Sequence, residues 1–270
     1  MGSKGTFTAE EDTHKVSFPR NDLKVTIEGR PASPFLGFSS WAAFTPSPRH
    51  GTMVMGDIVL LEDEVNPAMS VALDNGLEVT ALHNHFFFEQ PRVMYMHISG
   101  NGKIEQLAPA VRKVLDKVQQ IRSASPNPAS QFDGGSIPAQ NSITAAVIEK
   151  LLGVKGEVNN GMYKATIGRS ATHHGTKIGK QMGVNTWAAF AGTDEMASVD
   201  SDFAMLESEL QGVLKALRKA NINIVAIHSH MTEEEPQYVF LHYWGKGRAP
   251  DLAAGVKAAL DTQSSKGDRK

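Results

Sequence analysis

The 270-residue chain contains no cysteine, so disulfide bonds, thiolate nucleophiles and cysteine metal sites are excluded, and any bound metal must use His, Asp or Glu. It has no apolar run approaching the ~20 residues that a membrane-spanning helix needs. It has no excess of charge: 27 Lys and Arg stand against 29 Asp and Glu, a net charge of −2. Nucleic-acid binders need a basic face to displace counterions, so nucleic acid is not expected as a partner. The phosphate loop G-x-x-x-x-G-K-[ST], the nucleophile elbow G-x-S-x-G and the zinc helix H-E-x-x-H are also missing from the sequence. What is present is an ordinary globular composition, 41% hydrophobic and 21% charged, in a chain long enough for one large domain or two.

The chain matches itself. Leu77 to His85 lies over Ile222 to His230, and the same offset carries Glu89-Gln90-Pro91 onto Glu234-Glu235-Pro236 and Met96-His97 onto Leu241-His242. It also carries Asp57 onto Asp202 and Glu64 onto Glu209. After small insertions, Gly37-x-x-x-Trp41 answers Gly183-x-x-x-Trp187, and Arg20 answers Arg169. The expected class is α+β, as two pseudo-symmetric copies of a strand-helix-hairpin-helix unit packed together. The expected bounds are residues 1–120 for the first repeat, 121–141 for a Ser-, Pro- and Gly-rich linker, 142–262 for the second repeat and 263–270 for a polar tail. The helix-like stretch Ser142 to Leu152 has a counterpart only before Met1. Together with the Met1-Gly2-Ser3 start, this leads us to expect a trimmed leader and a trimmed first-repeat helix.

Side chains alternate faces along a strand, so His83 and His85 are expected to point one way, as are His228 and His230. Two imidazoles on one sheet face form a metal-ligand pattern, used here twice. A third histidine follows on the partner strand of each hairpin, His97 and His242, at a register the pattern leaves open. These two read first as buried core histidines and second as ligands. Glu89 and Glu234, at the hairpin tips, are the candidate ligands or general bases. His174 has no histidine counterpart in the first copy, where the nearest isolated one is His50; it is either an added ligand or a solvated loop residue. Glu64 and Glu209 read as partners of a helix dipole, and Asp57 and Asp202 as helix-entry caps. Trp41 and Trp187 read as core. Phe86-Phe87-Phe88 would be costly in water and are expected to be covered by the other copy.

Imidazole with carboxylate suits a divalent metal, zinc first, with iron, manganese and copper compatible. The segments Met55-Gly56-Asp57, Glu64-Val65-Asn66-Pro67, Ala81 to His85 and Pro91 to His97 resemble the LppY/LpqO family of bacterial lipoproteins and secreted proteins. Ala226 to His230 and Phe240 to Trp244 resemble it equally, and the likeness covers nearly the whole chain. The resemblance implies duplicated halves and a periplasmic or secreted location, with no settled activity. The chain departs from the lipoprotein pattern in having no cysteine to accept a lipid. His83-x-His85-x-x-x-Glu89 also matches part of the first metal motif of cupins, but a helix before each histidine strand and another after each hairpin argue against an all-β barrel. The expected function is an exported, metal-dependent hydrolase acting on a small-molecule or cell-envelope substrate. The alternative is a non-catalytic cell-envelope ligand-binding protein with the histidines lining its cleft; a third reading is a structural duplicate whose halves bury each other. Nothing in the pattern sets an oligomeric state.

Overall fold

The computed structural model describes residues 4–49 and 51–263; Met1-Gly2-Ser3, His50 and the tail beyond residue 263 lie outside the described residues. The chain divides into two compact units, Met1–Phe132 and Asp133–Lys270, so the division falls inside the segment expected to be linker.

The first unit contains strands β1 (Gly5–Thr8), β2 (Thr13–Pro19), β3 (Thr26–Ile27), β4 (Arg30–Pro31), β5 (Ser39–Ser47), β6 (Gly51–Leu61), β7 (Glu78–His83), β8 (Glu89–Gln90) and β9 (Val93–Gly102). Its helices are α1 (Glu62–Asp74) and α2 (Ile104–Ala124). The second unit opens with α3 (Ala145–Leu152) and continues through β10 (Gly156–Asn159), β11 (Met162–Gly168), β12 (Ala171–His173), β13 (Thr176–Ile178), β14 (Asn185–Gly192) and β15 (Ala197–Leu206). It ends with α4 (Glu207–Lys219), β16 (Asn223–His228), β17 (Glu234–Glu235), β18 (Tyr238–Gly247) and α5 (Ala249–Asp261). The fold is therefore mixed α+β with antiparallel sheet dominant. Strands run in the order β1-β2-β5-β6-β9-β7 in the first unit and β10-β11-β14-β15-β18-β16 in the second. Each unit also has a small three-stranded sheet, β4-β3-β8 and β13-β12-β17 respectively, which the sequence pattern did not suggest.

The helices follow from apolar spacing. α1 buries Val65, Ala68, Met69, Ala72 and Leu73, and α4 buries Leu210, Val213, Leu214 and Leu217, a stripe at i, i+3, i+4 and i+7 in each. At ~1.5–3 kcal/mol for each fully buried large side chain, these stripes outweigh intrinsic helix propensity. α1 and α2 pack on each other and against β6 and β9; α4 and α5 do the same with β15 and β18. The approach is close at Gly100 and Gly245. A Cβ there would stand 3.1 Å from Leu107 and 3.0 Å from Leu252, so a glycine lets each closing helix seat on its sheet. α2 runs on to Ala124, further than expected, because Arg122 is buried in ion pairs with Asp63 and Glu64.

Strand alternation then separates two chemistries. Val54, Ile58, Leu60, Met96 and Ile98 alternate with Asp57, Val59, Tyr95 and His97, which face away from the helices. On that second face Val25, Phe38, Val59, Leu61, Val93 and Tyr95 form a smaller core beneath the β3 hairpin, and Phe86 packs against it. Ala171, Ile178, Val184, Ala204, Tyr238 and Phe240 are its counterpart in the second unit. The expectation that the whole Phe86-Phe87-Phe88 run is covered is corrected here. Phe86 stacks on Phe38 within its own unit, whereas Phe87 and Phe88 are 82% and 77% exposed.

Candidate metal centre

The histidine face is set by a one-residue irregularity. β7 pairs with β9 as Glu78↔Ser99 and Val79↔Ile98, then as Ala81↔His97 and His83↔Tyr95, so Thr80 is extra. Without that bulge Thr80 would oppose His97, and His83 would turn toward the helices; with it, His83 shares a face with His97. The second unit repeats the device at Val225, giving Ala226↔His242 and His228↔Phe240. The strands end at His83 and His228, yet the next histidines stay beside them: His83 and His85 lie 5.2 Å apart between ring centroids, and His228 and His230 5.1 Å.

Across the face, Asp57 stands opposite His97 and Asp202 opposite His242, each also opposite a tryptophan, Trp41 or Trp187, on its other side. The reading of Asp57 and Asp202 as helix-entry caps is thus corrected. Both sit mid-strand and buried, and α1 and α4 are capped instead by Glu64 and Glu209. The tryptophans are half-buried rather than core, covered by Lys15 and Lys164, whose Nζ atoms lie 4.3 and 4.1 Å from the ring centroids.

In the second unit, Asp202, His228 and His230 each offer one ligand atom, and these atoms lie within 4.8 Å of one another. Asp202 is buried, His228 half-buried and His230 open to solvent. Asp202 Oδ2 is 2.9 Å from His230 Nε2, while His230 Nδ1 lies 3.4 Å from the Gly183 carbonyl. Both neighbours accept, so a neutral ring donates to one of them, from Nε2 to the nearer carboxylate or from Nδ1 to the carbonyl. In the Nδ1–H tautomer the Nε2 lone pair is free to ligate a cation beside the carboxylate. Gly183 holds φ +83°, a left-handed conformation that ends the turn Lys180–Met182 and brings its carbonyl to this ring. Among the described residues, Asp202 Oδ1 and His228 Nε2 are buried without a hydrogen-bond partner. Burial, then the neighbouring His242, hold the His228 imidazole below its ordinary pKa against the pull of Asp202, so it is neutral and able to ligate. His242 donates from Nδ1 to the Ser201 carbonyl at 3.0 Å, which leaves Nε2 as its lone-pair nitrogen, and it lies outside the Asp202, His228, His230 group. This Asp/His/His group could hold a metal ion.

In the first unit His83 and His97 approach through their Nε2 atoms, 3.1 Å apart. His85 lies flat on Tyr95 with ring centroids 3.4 Å apart, as His230 lies on Phe240 at 3.6 Å. Burial, then His83, lower the His85 pKa, with Asp57 opposing. The Tyr95 hydroxyl is buried without a partner among the described residues, and burial, then Asp57 and Glu89, push its pKa above the usual phenol range.

The remaining candidates are placed as follows. Glu89 and Glu234 are buried in the short strands β8 and β17. Glu234 Oε1 accepts the Tyr238 N–H at 2.9 Å, and its Oε2 is buried without a partner among the described residues, as is Glu89 Oε1. His174 lies in an exposed turn, 3.7 Å from the Glu233 carboxylate, outside the Asp202, His228, His230 group. Glu64 and Glu209 act in structure. Each accepts the N–H of the residue before its helix, at 2.8 and 2.9 Å, and each is paired with a buried arginine, Arg20 at 2.8 Å or Arg169 at 2.6 Å. A cavity of about 540 Å³ lies beside Arg20 and Arg122, and no described histidine lines it.

No curated protein matches the chain. Among solved structures, it is similar to the crystal structure of a trimeric bacterial microcompartment shell protein, PduB, at 12% identity and a TM-score of 0.24, over 96% of this chain and 89% of that one. So low a score carries no argument about fold or function. A family model matches in two segments, residues 1–117 and 146–262, which take in both histidine clusters and most of the sequence. The chain belongs to the family described as Domain of Unknown Function (DUF1259).

Proposed function

We propose that the protein is a metal-dependent hydrolase whose centre in the second unit is formed by Asp202, His228 and His230. The observation that carries this reading is the 2.9 Å approach of Asp202 Oδ2 to His230 Nε2, beside a buried, unpartnered His228 Nε2. Two ligand atoms each ~2.1 Å from one ion are separated by roughly 3.4 Å at the tetrahedral angle and roughly 3 Å at a right angle, so the 2.9 Å approach stands at the short end of that range. Zinc is the metal assigned, since two imidazoles and one carboxylate leave a coordination position open; iron takes the same donor set. A divalent cation there supplies Lewis acidity and lowers the pKa of water. Glu234 is the carboxylate assigned to accept a proton, through its unpartnered Oε2. The substrate is a small molecule or a cell-envelope component. Export, and kinship with the LppY/LpqO lipoproteins, belong to the proposal on the strength of the sequence resemblance. So does the view that the two units are pseudo-symmetric copies.

The test is elemental analysis of the purified full chain beside a His228→Ala, His230→Ala variant. Near-stoichiometric metal in the parent and its loss in the variant are expected; equal metal in both would end the proposal. Hydrolysis of activated esters and phosphoesters, abolished in Glu234→Gln with metal retained, separates the enzyme from a metal-binding protein without catalysis.

A further inference from the structure

Phe86, Phe87 and Phe88 serve two different ends. Phe86 stacks on Phe38 and joins the small core of the first unit. Phe87 and Phe88 turn away from that core into solvent, as do Phe35 and Leu36 in the turn Pro34–Leu36. The two loops are held side by side. The Glu28 N–H donates to the Phe88 carbonyl at 3.4 Å, and Glu28, Arg30, Phe35 and Leu36 line one open groove of about 560 Å³. Four large apolar side chains are thus gathered about the Glu28-Gly29 turn. The second unit shows that the fold does not require them: Met231 packs where Phe86 does, but Thr232 and Glu233 follow it, and Gln181 answers Phe35. Phe88 and Glu233 both hold left-handed backbone, φ +60° and +69°, where a bulky aromatic residue bears strain as well as exposure. Clustered apolar side chains kept in water at such a cost mark a surface that meets an apolar partner.

Charge selects that partner. Across residues 23–36 and 84–92, Lys24, Arg30 and Arg92 are exposed against one exposed carboxylate, Glu28, because Glu89 is buried. In the matching segments of the second unit, Lys177 and Lys180 are balanced by exposed Glu233 and Glu235. Arg30 stands opposite Ile27 beside the aromatic tips; Lys24 and Arg92 lie four residues back from Glu28 and Phe88 along the segments that pair as β3 and β8, about 13 Å. Aromatic tips with basic side chains beside and behind them fit the apolar boundary and anionic headgroups of a lipid surface. A second copy of the chain fits less well. At 150–250 Å² for each ring, three phenylalanines and a leucine offer roughly 600 Å², short of the ~800 Å² that each partner of a standard interface buries. We infer that the first unit docks on an anionic lipid surface through Phe35, Leu36, Phe87 and Phe88, with Lys24, Arg30 and Arg92 against the headgroups. This surface is independent of the metal centre assigned to the second unit.

The experiment is co-sedimentation of the full chain with sucrose-loaded vesicles, made either of phosphatidylcholine alone or of equal parts phosphatidylcholine and phosphatidylglycerol. Two variants accompany the parent: Phe87→Thr with Phe88→Glu, which gives the first unit the residues that the second carries, and Lys24→Gln with Arg30→Gln and Arg92→Gln. All are surface changes, and far-UV circular dichroism checks that each is folded. The parent is expected to sediment with the mixed vesicles, with binding at least about tenfold weaker to phosphatidylcholine alone and in either variant. A parent that stays in the supernatant with mixed vesicles overturns the inference, as does an aromatic variant bound as tightly as the parent. Equal binding to both kinds of vesicle overturns the assignment to anionic lipid. A parent that is dimeric by light scattering, becomes monomeric in the aromatic variant and ignores vesicles assigns the patch to a second copy and overturns the lipid surface.

Discussion

One hydroxyl group separates the two histidine clusters at the position of Tyr95 and Phe240. A buried hydroxyl without a partner costs about 1–3 kcal/mol, and removing it together with its desolvation penalty is neutral or favourable. Tyr95→Phe is therefore expected to hold or raise the melting temperature of the metal-free chain; a clear fall would mean that the hydroxyl has a structural partner. Asp202 is the residue on which the second-unit centre turns. Asp202→Asn keeps the shape and removes the charge, and zinc affinity is expected to drop by at least about 10- to 100-fold, read by competition with a chromogenic chelator. At this scale the sequence was half legible. His83, His85, His228 and His230 stand out by repetition, but Asp57 and Asp202 were read as caps because they fall a few residues before a helix. The signal that could have found them is a carboxylate at the same place in both copies, amid the apolar runs Gly56 to Leu61 and Phe203 to Leu206. An ionisable group needs a reason to be buried there.

Among the elements, the strand bulge and the helix caps carry most of the positioning. Glu209 accepts the Leu206 N–H and pairs with buried Arg169, so Glu209→Ala leaves a buried guanidinium uncompensated. A loss of about 3–5 kcal/mol in chemical denaturation is expected, while replacing both partners by apolar residues is expected to recover part of it. The helices and the main hairpins were legible because apolar periodicity dictates them. The bulges were not, since Thr80 and Val225 are ordinary strand residues and a bulge without glycine leaves no mark in composition. Apart from Val25 to Ile27, which reads as a short strand, the two- and three-residue strands of the small sheets escaped for a related reason, being too short to show alternation.

For the molecule as a whole, the self-match along the chain anticipated a family match in two segments, and the division between units falls within the segment rich in Ser, Pro and Gly. The His97 and His242 positions show how tertiary structure decides what local reading leaves open. Their apolar neighbours suggested core, and the sheet instead brings them beside the His-x-His pairs. A ligand that binds only the folded state stabilises it by mass action, about 2.7 kcal/mol at 100 times its dissociation constant. Zinc should therefore raise the melting temperature of the chain, and a chelator should reverse the rise. The most direct test of the central claim is anomalous scattering at the zinc edge from crystals of the full chain grown with zinc. The expected result is a peak within bonding distance of Asp202, His228 and His230. Well-ordered side chains there with no peak, at full zinc saturation in solution, would contradict it.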